Sequence, residues 1–97
     1  MDSRELTAAL EREFEGTEAA RRTVARQARD LADAGVIETD RGHELTVEDV
    51  IGNMADAPDD HDLVERWNWW LGSLETAYGG YERFTVRFVD DGPDVNA

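Results

Sequence analysis

Val36-Ile37-Glu38-Thr39-Asp40-Arg41-Gly42-His43-Glu44-Leu45-Thr46-Val47 is the stretch on which the fold turns. Two short β-prone runs, Val36–Thr39 and Glu44–Val47, flank the glycine-bearing tetrapeptide Asp40-Arg41-Gly42-His43, the pattern of a β-hairpin. If it is a hairpin, the chain is α+β, because the segments on either side have helical period. Upstream, Asp2 or Ser3 opens a first helix with Leu6, Ala9, Leu10 and Phe14 on one stripe, and Gly16 is placed to stop it. Thr17 caps a second helix that runs to Ala34, with Ala20, Val24, Ala28 and Leu31 inward and Gly35 as its stop. Downstream, Thr46 and Asp49 cap a third helix bearing Val47, Val50, Ile51 and Met54, which Pro58 ends. Asp59 or Asp60 caps a fourth, with Leu63, Val64, Trp67, Trp70, Leu71, Leu74 and Tyr78 inward, closed by Gly79-Gly80. From Arg83 to Val89, Phe84, Val86 and Phe88 alternate with Thr85 and Arg87, the period of a strand. The expectation is a single α+β domain over residues 1–89, with about four helices, a hairpin and a C-terminal strand, followed by a disordered acidic tail over 90–97.

Composition bounds the function. The 97 residues carry 23 Asp and Glu against 10 basic residues, a formal net charge of −13. All ten basic residues are arginine, and the chain has neither lysine nor cysteine. That excludes a disulfide scaffold, a thiolate metal site and a cysteine or lysine nucleophile. No apolar run approaches the length of a membrane span, and the first residues lack the features of a secretory signal, so a cytoplasmic protein without a membrane partner is expected. Many carboxylates, no lysine, twelve alanines and two isoleucines make a usage that resembles proteins of extreme halophiles, whose surfaces face concentrated potassium chloride.

The charge is unevenly spread. Residues 21–29, Arg-Arg-Thr-Val-Ala-Arg-Gln-Ala-Arg, hold four arginines and no acid, which leaves −17 on the other 88 residues. On a helix Arg22, Arg26 and Arg29 form one stripe at i, i+4 and i+7, opposite Val24, Ala28 and Leu31. Guanidinium groups in such a row suit phosphate oxygens and guanine edges. Equally, Glu18–Arg22, Arg26–Asp30 and Arg29–Asp33 are i, i+4 pairs, so the row also reads as an ion-paired solvent face.

Residues 22–46 resemble the recognition helix and wing of winged helix-turn-helix DNA-binding domains. The likeness rests on Thr23-Val24, Leu31, Ala34-Gly35-Val36-Ile37, the turn Asp40 to His43, and Leu45-Thr46. It implies a DNA-binding or transcription-associated protein in which Arg22, Thr23, Arg26, Gln27 and Arg29 face the major groove. Arg41, at the wing tip, would reach backbone phosphate or the minor groove.

Trp67-Asn68-Trp69-Trp70 points to a second reading. Trp67 and Trp70 join the inward stripe of the fourth helix, whereas Trp69 falls on the far side, beside Gly72 and Ser73 one turn on. A large flat ring next to small residues makes a surface for a partner or a second copy, so the alternative is a non-enzymatic protein–protein interaction module or homodimer. The same tryptophan also fits a fourth helix buried on two sides. His43 and His61 have no second ligand at helical spacing, no phosphate-cradling glycine loop is present, and Ser3 and Ser73 lie in no nucleophile context. No metal, cofactor, small-molecule substrate or enzymatic activity is expected.

Overall fold

A computed structural model describes residues 1–87 and 89, and among them there is no strand. The expected α+β class is therefore corrected to all-α. Five helices follow one another: α1 (Ser3–Glu13), α2 (Glu18–Ala34), α3 (Val36–Arg41), α4 (Val47–Ala55) and α5 (Leu63–Ala77), then a 3₁₀ turn over Glu82–Phe84. α2 and α4 each pack against both α1 and α5, while α3 and the 3₁₀ turn close over α2. None of the helices among the described residues is long and apolar enough to cross a membrane.

The hairpin fails at its glycines. Gly35 (φ 74°) and Gly42 (φ 85°) both adopt the left-handed conformation that ends a helix. Gly35 thus ends α2 and, without a break, begins α3; Gly42 ends α3 rather than bending a turn between strands. Helical bonds cross this stretch, from Thr39 N–H to the Gly35 carbonyl (3.1 Å) and from Gly42 N–H to the Glu38 carbonyl (3.0 Å). Ile37 is buried at 2% exposure while Glu38 is exposed and Val36 and Thr39 half or fully exposed. One buried residue in this run anchors a single helical turn but gives a sheet no apolar face, and β-propensity yields to that context. With no hairpin there is no wing, and the winged-helix-like fold is corrected with it.

The C-terminal strand is absent for a related reason. Phe84 and Val86 do turn inward, as the alternation requires, but among the described residues there is no neighbouring strand to make a ladder, and α5 side chains take the backbone bonds instead. Phe88 and the expected disordered tail over 90–97 lie outside the described residues.

The helix ends follow the caps with two adjustments. Asp2, Thr17 and Thr46 cap α1, α2 and α4, the last with Asp49 in a reciprocal capping box. α5 is capped by Asp62, in a second capping box with Glu65, and not by Asp59 or Asp60. α1 ends at Glu13 with Phe14 as its cap, before Gly16. Gly16 has no positive φ; a Cβ there would lie 3.2 Å from Leu63, so it is the close approach of the α1–α2 turn to α5 that requires the absent side chain.

Gly52, by contrast, sits inside α4 with nothing within 4 Å of where a Cβ would be. Gly52→Ala is expected to raise unfolding stability by about 0.5–1 kcal/mol, through the smaller backbone entropy lost on folding. Denaturant unfolding of the two proteins checks it; an unchanged or lower midpoint would contradict this placement of α4.

Candidate interaction surfaces

The tetrapeptide 67–70 divides its side chains between the core, the C-terminal segment and solvent. Trp67, with no exposure, packs edge-to-face on Trp70 with ring centroids 5.6 Å apart. Its indole N–H donates to the Phe84 carbonyl at 2.9 Å. Asn68 grips Val86 with both ends of its amide: Nδ2 donates to the Val86 carbonyl (2.9 Å), and Oδ1 accepts from the Val86 N–H (2.8 Å). The side chain of Asn68 thus supplies the donor and acceptor that an adjacent strand would have supplied. Two turns later Glu75 Oε1 accepts from the backbone N–H of Tyr81 (2.7 Å) and of Glu82 (3.0 Å). Tyr81 itself is fully buried, and its hydroxyl donates to Asp40 Oδ2 at 2.7 Å, with the Val36 carbonyl at 3.3 Å. The bonds of Asn68 and Glu75 left no mark in the sequence pattern, since a polar residue on a helix that bonds a distant backbone gives no periodic signal, and the Tyr81–Asp40 contact joins side chains 41 residues apart.

Trp69 alone of the four faces solvent, 37% exposed, and Tyr78 at the end of α5 is 48% exposed. They border a concavity of about 300 Å³ whose other walls are Arg41 from the end of α3, Asn53 and Asp56 from the end of α4, and Ser73. Trp70 also lines it, nearly fully buried, and its indole N–H has no acceptor among the described residues. The Ser73 hydroxyl donates to the Trp69 carbonyl at 3.2 Å. Gly72 is exposed one residue away, with open space where a Cβ would project.

Arg41 is thereby relocated. It is the last residue of α3 and belongs to the Trp69 surface, not to a wing tip beside the arginine row. Arg22, Arg26 and Arg29 are exposed on α2 and line a second groove, of about 390 Å³, with Ser3 and Thr7 of α1 and with Glu18 and Ala25. Val24, Ala28 and Leu31, on the opposite side of α2, have no exposure. Of the three ion pairs the spacing allows, one forms: Arg29–Asp33 at 3.9 Å between two exposed side chains, a contact of little energetic weight. Thr23 and Gln27 are half-buried and line neither surface; the Thr23 hydroxyl is turned back to the Ala19 carbonyl at 2.9 Å. Arg21 is occupied too, donating to the Gly16 carbonyl at 2.8 Å.

A larger opening, about 620 Å³, separates Glu13–Gly16 from Asp59–Asp62. Phe14 at its edge carries the Arg66 guanidinium over its ring at 5.1 Å, and His61 Nδ1 lies 3.2 Å from Asp60 Oδ1. His43 occupies the loop after α3, with Nδ1 3.5 Å from Asp49 Oδ2. Among the described residues no three or more His, Asp or Glu side chains are grouped so as to hold a metal ion.

Two substitutions test the α5 contacts. Asn68→Ala strands a backbone donor and acceptor at Val86 and is expected to cost about 1–3 kcal/mol. Hydrogen exchange should show the Val86 amide losing protection while amides in α1 keep theirs; an equal change in both would contradict a local clasp. At Tyr81, burial first, then the hydrogen bond to Asp40 and its charge, push the hydroxyl above the ordinary tyrosine range. The unfolded chain releases that proton near pH ~10, before the folded one does. The stabilisation is therefore complete below that pH and lost as pH rises beyond it. With no lysine in the chain, few other groups titrate there. Tyr81→Phe should flatten the alkaline fall in stability; the same slope in both proteins would show that Tyr81 does not cause it.

Residues 1–75, about three quarters of the chain, match the family model of the WNWW domain. The four letters of that description are those of Trp67-Asn68-Trp69-Trp70. No curated protein and no solved structure matches the chain. With the family match covering α1 to α4 and nearly all of α5, the chain belongs to the WNWW domain family.

Proposed function

We propose that this domain is a non-enzymatic, cytoplasmic interaction module that pairs with a second copy of itself through the α5 surface around Trp69. One observation carries the reading: Trp69, Tyr78 and Arg41 border a single concavity, and Trp, Tyr and Arg are the residue types in which interface energy concentrates. The surface also holds both signs of charge, Arg41 and Asp56. Across a two-fold axis, each copy can set its arginine towards the other's aspartate and its indole towards the other's hollow. Gly72 and Ser73 beside Trp69 allow close approach.

The leading expectation from the sequence is DNA binding by Arg22, Thr23, Arg26, Gln27, Arg29 and Arg41. The arginines remain exposed, but the wing is a helix and Arg41 lies on the aromatic surface. The features that tied the row to DNA are thus separated, and the α5 surface has the stronger claim.

Sedimentation of the native chain at rising concentration, in molar potassium chloride suited to its composition, should show a dimer. Trp69→Ala alters a residue outside the buried cluster, so it should leave the fold intact by circular dichroism and shift dissociation by tenfold or more, on the order of 2 kcal/mol. A native chain that stays monomeric, or a variant that dimerises equally well, would dismiss the reading.

A further inference from the structure

The arginine row on α2 is a second surface, independent of the one around Trp69. Along α2 the exposed line reads Glu18, Arg22, Arg26, Arg29, Asp33, at i, i+4, i+8, i+11 and i+15. Its three cations occupy about 10 Å of helix, at ~1.5 Å per residue, and a carboxylate closes each end. Arg22 and Arg26 make no ion pair among the described residues, and the pair of Arg29 with Asp33 is long. Beside them the groove is floored by the small residues Ser3, Thr7 and Ala25, so a helix can lie close.

The pattern limits what can occupy it. A second copy in register is disfavoured: the line is symmetric in charge, so antiparallel pairing sets Arg22 against Arg29 and Glu18 against Asp33, while parallel pairing sets each residue against itself. Like meets like either way. A long duplex is equally unsuited, since it carries one charge per ~1.7 Å of axis and overruns the cations onto Glu18 and Asp33, in a chain whose residues outside 21–29 sum to −17. What fits is a short anion array about 10 Å long.

We propose that the α1–α2 groove binds an acidic helical segment of another protein, with carboxylates at i, i+4 and i+7 facing Arg22, Arg26 and Arg29. The partner helix rests on Ser3, Thr7 and Ala25 while the guanidiniums pair with its carboxylates along one side.

The test uses fluorescence anisotropy with a labelled helical peptide of about 15 residues carrying glutamates at that spacing, added to the full chain in about 0.15 M potassium chloride, where the Debye length is ~8 Å. Circular dichroism in the same buffer checks that the chain is folded. The glutamate peptide should bind saturably and its glutamine counterpart at least about tenfold more weakly. The double variant Arg22→Glu/Arg26→Glu, altered at exposed positions alone, should lose the glutamate peptide and gain one with lysines in those places. Trp69→Ala should bind like the native chain, which separates this surface from the proposed dimer contact. Absence of binding, equal binding of the glutamine peptide or by the double variant, or tighter binding of duplex DNA than of peptide would each overturn the proposal.

Discussion

The burial of α5 on both flanks is the constraint on which the rest of this small protein depends. Trp67 has no exposure, yet its indole carries a hydrogen-bond donor that needs a partner in the core. The Phe84 carbonyl is that partner, and supplying it draws the C-terminal segment back over α5. Asn68 and Glu75 complete the attachment by bonding the backbone of Val86, Tyr81 and Glu82. Once closed in this way, the segment places Tyr81 against α3 through Asp40. A chain of under 100 residues has a modest core, and here backbone bonds from helix side chains tie its last turn to its middle.

The helix so held can spare a side. With Trp67 and Trp70 committed to the core and Asn68 to the C-terminal segment, Trp69 is left facing solvent between Arg41 and Tyr78. The two surfaces of the molecule then differ in kind. Around Trp69 both signs of charge occur with aromatic area, which suits a copy of the same surface. Along α2 a single sign is enclosed by its opposite, which disfavours an in-register copy and favours an acidic partner.

Much of this was legible in the chain, and what was missed has physical reasons. Thr17 and Gly35 bound α2 correctly because a side-chain cap and a left-handed stop are local events that the neighbouring fold does not alter. The inward faces of α1 and α2 followed from period alone, as did the outward arginines; so did that of α5 except at Tyr78, expected inward but 48% exposed because it lies past the last helical residue as the cap of α5. Val36–Thr39 misled because β-branched residues describe a preference for pleated, half-buried surface, and no second strand was available to make that surface. Arg83 to Val89 misled differently: the alternation of Phe84 and Val86 was real, but the partner was the Asn68 side chain, 18 residues earlier.

The sequence by itself determined the bounds of α2, the caps that open α1 and α4, most of the faces the helices bury, that the arginines stand in one row, and that cysteine and lysine chemistry are absent. These are set by residue type and near-neighbour spacing. Only the tertiary structure decided that Gly42 ends a helix and turns no hairpin, that Arg41 joins Trp69, and that Asn68 and Tyr81 fasten the C-terminal segment. Those outcomes depend on which distant group satisfies a buried backbone or side-chain polar atom. That choice is made by packing, between residues that sequence order keeps far apart.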